Sequence, residues 1–146
     1  MTSKKLAYLL DVNVVLALID AMHEHHELAW TWFRTTGRAA FATCPIVENG
    51  VLRIASSNAY PNRSGDVETV RESLCRLAEQ PGFRFWSDSV SLRTVLRAGS
   101  DARSNEVTDL YLVALAAANG GRLATFDTRL RPELVAKAST VEVLGY

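Results

Sequence analysis

The chain is poor in cysteine and lysine, and its charges cancel. Its 146 residues include only two cysteines, Cys44 and Cys75, which form no CxxC pair. This excludes a disulfide framework and is typical of buried thiols in a reducing cytosol. The formal net charge is zero, so composition alone offers no electrostatic argument for nucleic acid binding. Nearly half of the residues are hydrophobic, which indicates an ordinary globular domain with a sizeable core.

Lysine occurs three times, whereas the other thirteen basic residues are arginines. Arginine is suited to bidentate phosphate contacts, but a GC-rich coding sequence is the simpler explanation of the bias. Composition leaves both explanations open.

A long uninterrupted hydrophobic segment is also missing. The amino end resembles a signal peptide because Lys4 and Lys5 precede an apolar run, but Asp11 and Asn13 lie inside that run. A central aspartate costs about 2.5–3.5 kcal/mol on a membrane-insertion scale, and no small-residue cleavage site follows at the right distance. The sequence therefore predicts a cytoplasmic protein with no membrane contact.

Short apolar segments alternate with amphipathic ones along the chain. The apolar segments are predicted strands, at residues 6–10, 39–42, 83–86, 123–126 and 140–144. The amphipathic segments are predicted helices, at residues 13–19, 23–35, 67–78 and 90–96, with a last helix that Thr108 caps and that ends at Ala118. This alternation predicts a single three-layer α/β/α domain with a central, mainly parallel sheet of about five strands.

Residues 47–52 are compatible with two structures. Their Asn49-Gly50 pair is the strongest short hairpin signal. A helix would instead have Pro45 in its first turn and would place Glu48 and Val51 on one face. The glycine would cost that helix about 1 kcal/mol, so spacing alone does not decide between the two.

Four acids interrupt apolar segments on separate elements. Asp11 follows the first predicted strand, and Asp127 follows the fourth. Glu48 lies in the ambiguous segment, and Asp109 opens an apolar helix. Each acid alone could be a helix cap, a first-turn acid or a turn residue. Binding sites in parallel α/β folds lie at the carboxyl ends of the strands, so their joint placement favours one shared acidic site.

Such a site requires a cation. Two carboxylates about 4 Å apart repel by about 4 kcal/mol at an effective dielectric constant of about 20. Oxygen donors without histidine or cysteine favour Mg²⁺ or Mn²⁺ over zinc. A divalent ion with open coordination positions serves hydrolysis of a phosphodiester.

Four motifs, taken together, resemble the PIN-domain ribonucleases and most closely the VapC toxins of bacterial VapBC toxin–antitoxin modules. They are Asp11-Val12-Asn13, Cys44-Pro45-Ile46-Val47-Glu48-Asn49-Gly50, Val107-Thr108-Asp109 and Leu123-Ala124-Thr125-Phe126-Asp127. The resemblance covers almost the whole chain. It implies one PIN domain over residues 1–146, with the ambiguous segment folded as a helix.

The resemblance also implies a role for each matching residue. Asp11, Asp109 and Asp127 would hold the metal directly or through water. Glu48 would complete the acidic set by placing a metal or orienting the attacking water. Three neighbours would fix the carboxylates by hydrogen bonds: Asn13, Thr108 and Thr125. Leu110 departs from the small residue that often follows the third acid, which affects packing more than chemistry.

The implied activity is endonucleolytic cleavage of RNA with Mg²⁺ or Mn²⁺ as cofactor, leaving a 5′-phosphate and a 3′-hydroxyl. A VapB antitoxin that inserts a tail into the site would regulate it, and a homodimer would pair two sites. Of the arginines, Arg103 in the polar loop before Asp109 is the best candidate for an RNA contact. The neighbouring His23 and His26 lack ligand partners at metal spacing, so we interpret them as a solvated helix end.

Other functions fit the sequence less well. A haloacid-dehalogenase-like phosphatase also opens with an aspartate after its first strand, but it needs a second acid where this chain has Asn13. It also needs a late lysine, and Lys137 has no matching context. A phosphoacceptor receiver domain needs a similar lysine. A PIN domain that binds RNA or a partner without cutting is a further alternative, against which the retention of all four acids argues.

Overall fold

The computed structural model describes residues 5–63, 65–135 and 141–145. Five strands and six α-helices lie in this described part. The strands are β1 (Tyr8–Leu10), β2 (Phe41–Thr43), β3 (Phe83–Phe85), β4 (Arg122–Thr125) and β5 (Val141–Val143). The helices are α1 (Val12–Ile19), α2 (His26–Thr35), α3 (Pro45–Ala55), α4 (Val67–Ala78), α5 (Leu92–Val95) and α6 (Val107–Ala118). Thr140, the predicted start of the last strand, and Lys137 lie outside the described residues.

The five strands form one sheet in the order β3-β2-β1-β4-β5, and every neighbouring pair is parallel. Helices flank this sheet, which confirms the predicted α/β/α class. The chain builds the sheet outward from β1 in one direction and then returns to the other side of β1 with β4. In an open parallel sheet, ligands bind outside the carboxyl ends of the strands at such a switch point. The topology therefore directs attention to the ends of β1 and β4.

The core lies around the three inner strands. Leu9 and Leu10 of β1 are completely buried, whereas Phe83 and Val141 on the edge strands are partly exposed. α6 is buried over seven consecutive residues, from 110 to 116. A strand covered on both faces needs a continuous apolar run, which explains why β1 and β4 carry no alternating pattern.

The ambiguous segment is a helix. α3 is continuous from Pro45 to Ala55, with Pro45 in its first turn, as the resemblance implied. Gly50 lies against α1, where an added Cβ would come within 3.0 Å of the Val12 Cγ2 atom. The glycine that suggested a hairpin is therefore explained by close packing between two helices.

The prediction that Thr108 caps the last long helix is wrong. α6 begins at Val107, with Glu106 in the N-cap position, and Thr108 lies inside the first turn. A 3₁₀ turn at Ser104–Glu106 carries the chain into the helix, so no side-chain cap is needed at Thr108. Other predicted boundaries are offset by up to three residues, and the α4 boundaries match. None of the helices in the described residues has the length and apolarity needed to cross a membrane.

Candidate active site

Asp11 joins the end of β1 to the start of α1. It is the N-cap residue of α1, and its Oδ1 atom accepts a hydrogen bond of 2.7 Å from the Val12 amide. Its Oδ2 atom accepts a 2.7 Å hydrogen bond from the Thr125 hydroxyl on β4. Only 6% of the residue is exposed. The carboxylate is thus fixed at both oxygens, at the switch point of the sheet.

Thr125 connects Asp11 to a wider polar network. The Thr125 hydroxyl oxygen accepts hydrogen bonds from the Asp127 amide at 3.1 Å and from the Asn13 Nδ2 atom at 3.4 Å. The Asn13 Oδ1 atom accepts a 3.4 Å hydrogen bond from the Phe126 amide. The structure therefore brings Asn13 and Thr125 beside Asp11, where the resemblance had placed them.

Asp127 lies just beyond β4. Its Oδ1 atom accepts a 2.8 Å hydrogen bond from the Arg129 amide, and the Arg129 Nε atom lies 3.6 Å from the same oxygen. The side chain of Asp127 is 26% exposed, whereas that of Arg129 is 91% exposed. Asp127 is thus oriented by its own turn, while the guanidinium of Arg129 extends into solvent.

Asp109 lies in the first turn of α6 and faces these acids. Burial, together with the negative charges of Asp11, Asp127 and Glu106, raises the pKa of Asp109 to about 6. The pKa of Asp11 is also raised, chiefly by burial, although its hydrogen bonds from Thr125 and Val12 oppose the rise. Asp11 and Asp109 therefore each lie within electrostatic reach of Asp127, and Asp109 lies within reach of Asp11 as well.

Glu48 occupies a separate position. It lies in the first turn of α3, and its Oε2 atom accepts a 2.5 Å hydrogen bond from the Thr43 hydroxyl on β2. The charges that raise the pKa of Asp109 do not include Glu48. The structure thus brings three of the predicted acids together and holds the fourth one strand away, after β2 at the same edge of the sheet.

The donor chemistry suits a hard divalent cation. Carboxylate and hydroxyl oxygens are the ligands that Mg²⁺ and Mn²⁺ prefer, and a cation would relieve the repulsion that raises the pKa of Asp109. In the part of the chain that the structure describes, no three His, Cys, Asp or Glu side chains form a group that could hold a metal ion. The all-oxygen donors would therefore hold Mg²⁺ with few protein ligands, and Mg²⁺ ordinarily keeps several waters as its other ligands.

Two hollows meet at Asp109. The narrow hollow, of about 200 Å³, lies between the start of α6 and the turn after β4, and it is lined by Asp109, Asp127 and Arg103 among others. The wide hollow, of about 670 Å³, lies between α3 and α6, and Asp11, Thr108 and Arg53 contribute to its wall. Thr108 is exposed in this wall, and no hydrogen bond links its side chain to the described residues.

Sequence reasoning missed Glu106 and Arg131. The Arg131 Nη2 atom donates to both Glu106 carboxylate oxygens at 2.8 Å, and its Nη1 atom donates to Asp101 Oδ1 at 2.9 Å. This ion pair ties the turn after Asp127 to the loop before Asp109. An acid three residues before Asp109 and an arginine four after Asp127 were the available signals, but nothing in the sequence links them.

The histidines near α2 make structural contacts. His26 lies in the first turn of α2, with its Nδ1 atom 2.7 Å from the Ala17 carbonyl oxygen. The ring of His25 stacks on Phe126, with the ring centroids 4.9 Å apart. Tyr111 of α6 is buried, and its hydroxyl donates to Asp88 at 2.7 Å.

Known protein families and structures include relatives of this chain. The family model described as the PIN domain matches residues 8–132. The chain belongs to the PIN-domain family. The matched residues run from the start of β1 to the turn after β4, so they include every acid of the candidate site.

Several relatives of this PIN domain carry VapC names. The chain is 41% identical over 138 residues to ribonuclease VapC39 of Mycobacterium tuberculosis strain H37Rv, covering 93% of this chain and 98% of the relative. It is 38% identical over 121 residues to ribonuclease VapC44 of the same strain, covering 82% of this chain and 84% of the relative. Both relatives confirm the resemblance to VapC that the motifs suggested.

A solved structure shows the same fold. It is the crystal structure of VapBC2 from Rickettsia felis bound to a DNA fragment from their promoter. The TM-score is 0.55 at 16% sequence identity, and the match covers 85% of this chain and 90% of that chain. At this identity the likeness establishes the fold of the PIN domain, and the active-site argument rests on the residues of this chain.

Proposed function

We propose that this PIN domain is a metal-dependent endoribonuclease and the toxin of a type II toxin–antitoxin module. The observation that carries the proposal is the gathering of Asp11, Asp109 and Asp127 at the switch point of the sheet, where burial and the neighbouring negative charges raise the pKa of Asp109 to about 6. The ribonuclease names of relatives at 38–41% identity support RNA as the substrate.

The proposed cofactor is Mg²⁺, with Mn²⁺ as the alternative. Asp11, Asp109 and Asp127 would hold it directly or through water. When bound, the cation would neutralise charge on the phosphate oxygens and assist the attack of water. This assignment is supported by the all-oxygen donor set and by the excess negative charge at Asp109.

The residues of the chain orient the reacting groups. Thr125 holds one oxygen of Asp11 and the backbone after β4 in a fixed arrangement, and Asn13 supports the same turn. Glu48, held by Thr43, is proposed to place a metal or to orient the attacking water. Thr108 remains a proposed hydrogen-bonding neighbour, positioned in the wall of the wide hollow. The new bond joins the water oxygen to phosphorus and the bond to the 3′ oxygen breaks, which leaves a 5′-phosphate and a 3′-hydroxyl.

The proposed partners are a VapB-type antitoxin and a second copy of the chain. The VapC names of the relatives and the VapBC identity of the solved structure with the same fold support an antitoxin partner. The proposed RNA substrate places the activity in the cytoplasm. Arg103, exposed in the narrow hollow, is the proposed RNA contact.

The phosphatase alternative is disfavoured by the position of Asn13. That chemistry needs an acid there, whereas the Asn13 amide group is used to bond Phe126 and Thr125. The other alternative, a PIN domain that binds RNA without cutting it, is distinguished from a nuclease by an RNA cleavage assay.

The decisive experiment incubates the purified full chain with total RNA, with and without EDTA, and maps the new ends. Cleavage that requires a divalent ion and leaves 5′-phosphates supports the proposal. The Asp109→Asn variant, purified in the same way, excludes a contaminating nuclease. Release of phosphate from a small phosphomonoester without RNA cleavage would favour a phosphatase. RNA binding without cleavage would favour a PIN domain that binds RNA and does not cut it.

A further inference from the structure

The narrow and wide hollows lie on two sides of Asp109, in the acidic centre. Asp109 lines both of them, so a ligand that extends from one hollow into the other must pass this carboxylate. Asp11 lies on the wide side of Asp109 and Asp127 on the narrow side. A strand bound along this path would present its backbone to all three acids.

The two ends of the path differ from its centre in charge. Arg53, in the last turn of α3, borders the wide hollow, and Arg103, just before the 3₁₀ turn, borders the narrow one. Both are exposed, and neither makes an ion pair within 4.0 Å of another described residue. The path therefore has an acidic centre between two arginines that are available to a ligand.

The other two arginines of the narrow hollow each have a carboxylate nearby. Arg131 is held by Glu106 and Asp101, and the Arg129 Nε atom lies 3.6 Å from Asp127. This leaves Arg103 as the guanidinium in that hollow without such a partner among residues 5–63, 65–135 and 141–145. Arg103, Arg129 and Arg131 all line the narrow hollow, so their ion pairs and not their positions distinguish Arg103 from the other two.

A nucleic acid needs attraction on both sides of such a centre. The net charge of the chain is zero, so no general field draws a polyanion to the protein, and the three acids repel its phosphates. Attraction must come from local contacts, and an arginine can grip a phosphate through two parallel hydrogen bonds. The narrow hollow, of about 200 Å³, is smaller than an ordinary small-ligand pocket, which favours a single strand over a duplex.

We infer that a single RNA strand crosses the acidic centre from the wide hollow to the narrow one, with Arg53 and Arg103 contacting phosphates on opposite sides of the cleaved bond. The inference rests on the proposed ribonuclease function and assigns the substrate strand its path. It also separates the two arginines that bind phosphate from Arg131, whose ion pairs hold two segments of the protein together.

The test measures binding separately from cleavage. A fluorescein-labelled single-stranded RNA of mixed sequence is titrated with the full-length Asp109→Asn protein in Mg²⁺, and anisotropy is followed at several salt concentrations. Arg53→Gln and Arg103→Gln are each added to this background. The matched control is Arg38→Gln, an exposed arginine in the 3₁₀ turn before β2, at the opposite edge of the sheet.

Each of the two variants is expected to weaken binding roughly twofold to fivefold. Loss of one phosphate contact should lower the slope of log K against log salt by about 0.7, and the double variant should lower it by about twice that. Arg38→Gln should change neither quantity. A duplex of the same sequence should bind more weakly than the single strand.

The outcomes separate this inference from the function on which it rests. Binding and salt slopes that are unchanged in both variants, or reduced equally by Arg38→Gln, would overturn the path while leaving the nuclease intact. Equal binding of duplex and single strand would overturn the assignment to single strands. If the parent protein fails to bind RNA and the wild type fails to cut it, the proposed function itself is wrong. Circular dichroism of every variant checks that the fold is retained.

Discussion

Thr125 on β4 donates a 2.7 Å hydrogen bond to Asp11 at the end of β1, in a contact that is buried from solvent. The same hydroxyl oxygen accepts the amide proton of Asp127. One side chain therefore orients the acids that follow two neighbouring strands. The bond crosses the switch point of the sheet, so the local geometry of the site depends on tertiary structure.

This relationship predicts a loss of activity from Thr125→Val, which keeps the shape and removes the hydroxyl. Partners that orient metal ligands typically contribute about 10- to 100-fold to metal affinity or activity, so RNA cleavage should fall by a factor in that range. Thr125→Ser restores the donor and should recover most of the rate. Initial rates on a defined RNA provide the measurement, and equal rates for the valine variant and wild type would contradict the role of the hydroxyl.

Asp11→Asn and Asp109→Asn should each abolish detectable RNA cleavage while leaving the fold intact. Each change removes a negative charge that the proposed cation needs and keeps the size of the side chain. Purified variants are compared by cleavage assay and by circular dichroism. Cleavage at the wild-type rate by either folded variant would exclude that carboxylate from the reaction.

The sequence predicted the elements better than the contacts between them. The periodic apolar positions of α4 predicted its boundaries from Val67 to Ala78, because one helix face packs on the core. The segment around Gly50 could not be decided from spacing, because the reason for that glycine is the Val12 side chain on another helix. Thr108 looked like a cap because capping residues are recognised locally, whereas the 3₁₀ turn before it is not.

The acidic site could be predicted in part. The positions of Asp11 and Asp127 after apolar strands placed them at one edge, since parallel strands end together. The ion pair of Glu106 with Arg131 could not be predicted, because both residues lie in irregular segments 25 positions apart. Periodicity carries no information about which loop charges meet.

The raised pKa of Asp109 predicts how the stability of the metal-free protein depends on pH. The folded carboxyl titrates at about 6, compared with an ordinary value of 3.8, so between these values the folded state binds more protons than the unfolded state. Stability attributable to Asp109 is therefore present below pH 3.8 and is lost as the pH rises through 6. Asp109→Asn removes the group and should remove this part of the pH dependence.

Thermal melts in EDTA from pH 4 to pH 8 measure this effect as the difference between wild type and Asp109→Asn. The wild type should lose stability relative to the variant as the pH rises, because carboxylates remote from Asp109, such as Glu68, contribute equally to both proteins. Millimolar Mg²⁺ should raise the melting temperature of the wild type at pH 7.5 more than at pH 5, since the cation replaces the proton. A difference between the two proteins that does not vary with pH would contradict the electrostatic coupling of the acids.

The approach of β4 to β1 predicts a large effect of Gly121→Ala. An added Cβ at Gly121 would lie 2.4 Å from the Ala7 carbonyl oxygen, which is backbone and cannot rotate away. The variant should lose about 3 kcal/mol of stability. The control is Gly120→Ala, where φ is +68° and the added Cβ meets no atom within 4 Å, so the cost should be only about 1–2 kcal/mol of backbone strain. Urea unfolding measures both, and a smaller loss at Gly121 than at Gly120 would show that the strands can separate.

The ion pair between Arg131 and Glu106 predicts an effect on the site from residues that touch no substrate. It ties the turn after Asp127 to the start of α6, which carries Asp109. Arg131→Ala should lower the cleavage rate about tenfold, because it loosens the spacing of the two acids and leaves a negative charge three residues before Asp109 uncompensated. Glu106→Gln should have a smaller effect, since it removes that charge together with the pair.

A double-mutant cycle on cleavage rates separates this coupling from general damage. If the pair positions the acids, the double variant Arg131→Ala with Glu106→Gln should be no slower than Arg131→Ala alone, because the uncompensated charge is gone. Arg131→Lys keeps the positive charge but loses the guanidinium whose two Nη atoms reach Asp101 and Glu106, so its rate should lie between those of wild type and Arg131→Ala. Strictly additive effects of the two substitutions would mean that Arg131 and Glu106 act on the site independently.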